Sequence, residues 1–265
     1  MNKVRAKKHL GQHFLTEIPI AEKIAASLTM ATSTGHVLEI GPGTGILTRA
    51  LLARDIASLQ LIEIDKESVD YLHTNHPELK GLIIEGDFLK LPLETLFGGE
   101  AFSLIGNFPY NISSQILFRM LEDVERIPEM VGMFQREVAL RIASPPGNKD
   151  YGILSVLIQT YYTVEYLFTV EPGAFNPPPK VRSAVIRLLR NDRKSLPVSG
   201  KFFKAVVKTA FNQRRKTLRN SLASLIRPHH MAGNETLFSL RPERLDPDTF
   251  LHLAALLYEA GEPQS

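Results

Sequence analysis
The sequence predicts an α/β protein, a mostly parallel sheet covered on both faces, with a small helical domain after it. Three observations predict it. Short apolar runs alternate with segments of helical period over residues 36–190. A glycine-rich turn, "GPGTG", joins the first of these runs to a helical segment. Beyond residue 192 the pattern is helical and basic.

The elements follow in order. "HVLEIG" (36–41), "LQLIEID" (59–65), "GLIIEGD" (81–87), "FSLIGN" (102–107) and "EMVGMFQ" (129–135) read as buried strands. Between them "GILTRALLAR" (45–54), "KESVDYLHTN" (66–75) and "SSQILFRMLEDV" (113–124) carry helical spacing. "YGILSVLIQTYY" reads as a helix, "TVEYLFTV" as a further strand and "SAVIRLLR" (183–190) as the last, so the sheet is expected to end in an antiparallel hairpin. The polar, turn-rich "NDRKSLPVSG" (191–200) places the domain boundary, dividing the chain into 1–192 and 193–265. In the second domain "KFFKAVVKTAF", "QRRKTLRNSLASLI" and "PDTFLHLAALLYEA" read as helical, and on a helix Phe211, Leu218, Leu222 and Leu225 form one narrow apolar stripe.

Composition excludes several classes. With 44% apolar and 22% charged residues among 265, the chain can bury a full core. No apolar run approaches the ~18 residues of a membrane span, and no apolar stretch follows the basic start as in a secretory signal. Zero cysteines exclude disulfides, thiolate zinc and a cysteine nucleophile. A cytoplasmic monomer is the expectation. The eight histidines are scattered without metal-ligand spacing, so no metal is expected. The net charge is only +3, but it is segregated. Lys3, Arg5, Lys7 and Lys8 stand near the start without an acid, and residues 193–234 hold ten Lys or Arg and no Asp or Glu. Such a distribution points to a polyanion, with Lys7, Lys8, Arg214, Arg215, Lys216 and Arg219 as candidate contacts. The plainer alternative is a solvated basic face.

The glycine turn suggests a nucleoside-bearing ligand. Gly41, Gly43 and Gly45 let the turn bend and a ligand approach the backbone, and the helix beyond offers unpaired N–H groups. Glu63, ending the next strand, can accept both hydroxyls of a ribose. A nicotinamide site favours G-x-G-x-x-G, but here the third glycine falls one place early and Ile46 follows. G-x-G-x-G preceded by Glu39 suits S-adenosylmethionine better, in a Rossmann-like methyltransferase domain. Asp87, at the third strand's end, is placed to accept from an adenine amino group, or simply to cap a turn.

"GNFPYNIS" (106–113) ends the fourth strand at the same edge. Pro109 holds Phe108 extended. The Phe108 carbonyl and the Asn107 side-chain carbonyl can then present two acceptors to one amino group, with Tyr110 as a flat face for a base. An adenine amino nitrogen gains positive charge as it attacks a methyl donor, and two fixed carbonyl dipoles stabilise that charge. The alternative is a proline turn in which Asn107 caps the next helix, although Ser113 and Ser114 are better caps.

With these residues, "KKHLGQHFL", "FNPPPKVRSAVIRL" and "AFNQRRKTLRNSL", the chain closely resembles the KsgA (RsmA) family of small-subunit ribosomal RNA adenine dimethyltransferases, over about residues 7–257. The last two motifs favour it over the sister Erm-type large-subunit enzymes. A non-catalytic nucleic-acid-binding factor on the same fold is a further alternative, disfavoured by the intact Asn107-to-Tyr110 motif. The resemblance implies two methyl transfers to each of two adjacent adenosines near the 3′ end of 16S rRNA, with S-adenosylmethionine as donor. It implies cofactor contacts from His13, Leu15, Gly41, Glu63, Asp87 and Asn107, and Phe175 facing Tyr110 across the target base. Lys180 and Arg182, in the second motif, join the expected RNA contacts. His13 stands where the family more often has Asn, and Phe108 where it more often has Leu.

Overall fold
The computed structural model describes residues 4–258, so Lys3 lies outside the described residues. Among these the strands are β1 (Phe14–Leu15), β2 (His36–Ile40), β3 (Ser58–Glu63), β4 (Ile83–Glu85), β5 (Ser103–Asn107), β6 (Glu129–Gln135), β7 (Tyr162–Val170), β8 (Phe175–Asn176) and β9 (Ser183–Arg190). The helices are α1 (Ile18–Ala26), α2 (Ala31–Thr34), α3 (Ile46–Leu52), α4 (Lys66–Asn75), α5 (Ser113–Met120), α6 (Arg136–Ala143), α7 (Ile153–Tyr161), α8 (Gly200–Asn212), α9 (Leu218–Ser221), α10 (Pro228–Met231), α11 (Glu235–Ser239) and α12 (Pro247–Leu257). The chain forms two compact units, residues 1–139 with 163–190, and residues 140–162 with 191–265.

The first unit holds a seven-stranded sheet in the order β4-β3-β2-β5-β6-β9-β7. β2, β3, β4, β5 and β6 run parallel, and β9 is antiparallel to β6. β5 and β6 are buried almost throughout, which is why their sequences are unbroken apolar runs rather than alternating ones. β7, at the sheet edge, is only half-buried along most of its length. From β2 the chain builds outward to β3 and β4, then returns to β5 on β2's other side. That reversal opens a crevice between the carboxyl ends of β2 and β5. A separate two-stranded pairing joins β1 to β8, Phe14 opposite Asn176 and Leu15 opposite Phe175.

The division differs from the expected break at 192. The chain does part at Asn191, but residues 140–162 group with the later helices. The reason is burial: α7 is apolar nearly all round and packs on α8 and α12, a partnership that sequence order conceals. Phe211 stacks on Phe250 at 5.8 Å in this core. The helical pattern expected from Phe211 to Leu225 is also broken. α8 stops at Asn212, Thr217 turns extended, and α9 is one short turn. Leu218 and Leu222 are buried even so. Each such side chain contributes about 1.5–3 kcal/mol by burial.

Candidate active site
The strand ends place the predicted residues around one cleft. It is lined by Gly41 and Gly43 after β2, Glu63 and Ile64 at the end of β3, Asp87 after β4, and Asn107 to Ile112 after β5. Residues Leu10 to Phe14 of the N-terminal arm complete it. The cavity holds about 160 Å³, roughly tenfold the ~15 Å³ a single water requires. A small recess beside it is lined by Leu15, Glu39, Gly41 and Asn107.

The acidic side is built from backbone donors. Glu63 accepts from the N–H of Gly43 at 3.1 Å and of Asp65 at 2.9 Å, one on each oxygen. Burial raises its pKa, and these N–H groups oppose the rise. Each oxygen keeps a lone pair for a hydroxyl. Glu39 is fully buried, with Thr48 Oγ1 donating to it at 2.7 Å. Burial pushes its pKa up to about 8, Thr48 opposing and Glu63 adding, so the group is mostly neutral at pH 7. Asp87 Oδ1 caps the turn after it, accepting from the Leu89 N–H at 3.0 Å, and the residue lines the cleft.

Two glycines of the loop are required for different reasons. Gly41 has φ 68°, and nothing lies within 4 Å of where its Cβ would stand, so the backbone is open to a ligand. Gly43 has φ 57°, and a Cβ there would come within 2.8 Å of the Phe14 ring.

The neutral side is held by the arm. Asn107 Nδ2 donates to the His13 carbonyl at 2.8 Å, turning Oδ1 away as an acceptor. Asn111 Nδ2 donates to the His9 carbonyl at 2.9 Å. His13 Nδ1 lies 2.7 Å from the Pro177 carbonyl oxygen. The Tyr110 hydroxyl bonds Ser183 Oγ, fixing the ring. Burial raises the Tyr110 pKa, with the Ser183 bond opposing.

The structure places several other expected residues as follows. Phe175, expected to face Tyr110 across the target base, is 4% exposed and packs in the core cluster with Leu15 and Val170. The ring beside Tyr110 is His13, at 5.3 Å between centroids and tilted 32°. A base stacked between two rings needs roughly 7 Å, twice the van der Waals contact distance. Neither serine caps α5: Ser113 Oγ instead donates to the Tyr110 carbonyl at 3.2 Å. Lys7 pairs with the buried Asp65 and lies 3.6 Å from Glu67. Gln12 joins it, donating to Asp65 at 3.1 Å. Arg214 is held by the Asn148 carbonyl at 3.2 Å. Arg182 pairs with Glu171 at 3.2 Å, but both are largely exposed and the pair is weak. Lys8, Lys180, Arg215, Lys216 and Arg219 are exposed.

Sequence reading missed Asp65, Asn111 and Ser183. Asp65 carried one signal, an N-cap position before "KES", and it does accept from the Glu67 N–H. The other two carried none, since their partners are distant in sequence. Among the described residues no cluster of metal-ligating side chains occurs and no helix is long and apolar enough to cross a membrane.

A parallel sheet with carboxylates and a glycine turn at its switch point defines the fold of the S-adenosylmethionine-dependent methyltransferases. Comparison narrows the class. The model of the family described as "Ribosomal RNA adenine dimethylase" matches residues 3–244, and the chain belongs to that family. It is 58% identical to a Porphyromonas gingivalis protein named ribosomal RNA small subunit methyltransferase A, over 98% of this chain and all of the other. A solved dimethyladenosine transferase from Plasmodium falciparum superposes with TM-score 0.76 at 25% identity, covering 91% of this chain and 96% of its own. The 23S rRNA methyltransferase ErmE shares the fold at TM-score 0.66 and 24% identity, covering 92% of this chain and 99% of its own.

Proposed function
We propose that the protein transfers methyl groups from S-adenosylmethionine to the exocyclic N6 of two adjacent adenosines near the 3′ end of 16S rRNA, giving N6,N6-dimethyladenosine. The observation that carries the reading is the Asn107 amide, which lines the cleft beside the Phe108-Pro109-Tyr110 turn and whose nitrogen is committed to the His13 carbonyl, leaving its oxygen as an acceptor.

The cleft's donors and acceptors fit the cofactor. Glu63 has lone pairs for the ribose hydroxyls, Asp87 for the adenine amine, and the open backbone at Gly41 admits close approach. Leu15, Glu39, Gly41 and Asn107 surround the adjoining recess, where the amino-acid end belongs. Gly43 and Gly45 shape the loop, and His13 closes the cleft from the arm. When bound, S-adenosylmethionine supplies an electrophilic methyl on a positively charged sulfur.

The chain's own residues do the rest. The Asn107 Oδ1 and the Phe108 carbonyl accept from the target amine and stabilise the positive charge it develops, an interaction strongest in the transition state. No side chain needs to remove a proton during attack, because the amine becomes acidic only as the new bond forms. Tyr110, locked by Ser183, offers a face to the flipped base. A monomethylated amine keeps one hydrogen for these acceptors and remains a substrate. Lys8, Lys180, Arg182, Arg215, Lys216 and Arg219 contact the RNA backbone. The protein works as a cytoplasmic monomer on the small subunit or its precursor.

The test is to incubate the protein with labelled S-adenosylmethionine and unmethylated small subunits, then map the modified nucleotides. Label on two neighbouring 3′-end adenosines of 16S rRNA is the expected result. Label only on naked 23S rRNA, or none, overturns the reading.

A further inference from the structure
The Phe108 ring rests on a floor made by two glycines from neighbouring strands. Gly106 of β5 and Gly132 of β6 are register partners, side by side in the parallel pair. Neither has a positive φ, so neither is glycine for conformational reasons. The reason is space. A Cβ on Gly132 would stand 2.3 Å from Phe108 Cε2 and 2.7 Å from Phe134 Cε2. A Cβ on Gly106 would stand 2.6 Å from Phe108 Cε1 and 2.7 Å from the Ile40 carbonyl oxygen. Non-bonded carbons settle at about 3.5–4.0 Å, so any side chain there displaces the ring. Phe134 closes the seat from the side, edge-on at 5.2 Å between centroids. Phe108 is 1% exposed.

This seat bears on the turn that follows. Asn107 Oδ1 is aimed by the bond from its Nδ2 to His13. Among the described residues no side chain anchors the neighbouring Phe108 carbonyl in this way, and its placement follows from where its own ring is seated and from the extended backbone that Pro109 imposes. We propose that Gly132 is a positioning residue for methyl transfer: by leaving room for the Phe108 ring, it sets the Phe108 carbonyl beside Asn107 Oδ1. The inference rests on the proposed use of that carbonyl as a charge-stabilising acceptor. Gly132 is 25 residues from Asn107 in sequence and lies on another strand, so no motif contains both.

A compensation experiment tests it. Gly132→Ala pushes the ring off its floor and is expected to lower kcat by roughly tenfold to a hundredfold, the scale of a displacement near 1 Å. The dissociation constant for S-adenosylmethionine should stay within about twofold, since the Glu63 side of the cleft is untouched. Adding Phe108→Leu, which keeps the backbone carbonyl and removes the Cε atoms, should restore kcat to within about threefold. A Gly132→Ala protein of normal kcat, or a folded double variant as slow as the single one, overturns the proposal. If Gly132→Ala fails to melt cooperatively, Phe108→Ala decides. It empties the seat but keeps the carbonyl, and it should lower kcat with cofactor affinity unchanged; an unaltered kcat overturns the proposal. Asn107→Ala, assayed in parallel, separates the two readings. Its normal turnover would sink the acceptor mechanism itself, whereas a slow Asn107→Ala beside a fast Gly132→Ala sinks only the glycine floor.

Discussion
The rim of the sheet has two halves of opposite chemistry. On β2, β3 and β4 it ends in Glu39, Glu63 and Asp87, with Glu63 and Asp87 each holding backbone N–H groups. On β5 it ends in an amide, a backbone carbonyl and a phenol, with no charge. In the proposed reaction the first half has hydroxyls and amines to hold in a ground state. On the same proposal the second faces a charge that exists only during reaction, where a full carboxylate would bind an amine too well before it reacts. The halves also differ in how they are held. The carboxylates are fixed by their own strand ends and loops, within about twenty residues. The amide and phenol are fixed by the arm and by β9, 94 and 73 residues away.

That contrast can be broken at several points. The largest effect is expected from Asn107→Ala, which should lose roughly two to three orders of magnitude in single-turnover rate. A rate near normal would mean the neutral half has no special role. Glu63→Ala should act on the other half, weakening S-adenosylmethionine binding by about tenfold to a hundredfold in calorimetry, as for a lost charged hydrogen bond. Once cofactor is saturating, most of the rate should return. If it does not, the halves are not separable.

The third test concerns the basic unit. Replacing Arg215, Lys216 and Arg219 together with Ala should weaken RNA binding. It should also flatten the plot of log affinity against log salt by about 0.7–0.9 per phosphate contact removed. Cofactor affinity should not move. An unchanged salt slope would make these cations a solvated face.

The smallest effect is on stability. Glu39 holds its proton more tightly in the folded protein than in the unfolded chain, where its pKa is the ordinary 4.5. Its contribution is therefore complete below that pH and is lost as the pH rises through about 8. Glu39→Gln, which has no proton to lose, should flatten the fall in melting temperature over that window. An unchanged profile would show that Glu39 is ionised throughout.

Much of the acidic half was legible in the chain order. A strand that ends in Glu63 must deliver that residue to the carboxyl edge, and a parallel sheet puts Gly41, Asp87 and Asn107 at the same edge. The place of Phe175 was not legible in this way, because it depends on the pairing of β8 with β1 and not on any main-sheet strand. Nor were the partners of Lys7 and Arg214 legible. A cation's charge can be read from sequence, but its partner cannot: Asp65 lies 58 residues from Lys7, and Asn148 lies 66 from Arg214.

Local rules of period, turn chemistry and strand direction thus sufficed for the sheet, the glycine loop and the residues along its rim, because each depends on neighbours in the chain. The grouping of α7 with the later helices, the anchoring of the arm on Asp65 and Asn107, and the seat of Phe108 on Gly132 lay beyond such rules. Each is a contact between distant segments, settled by which buried surfaces meet and by how little space is left when they do.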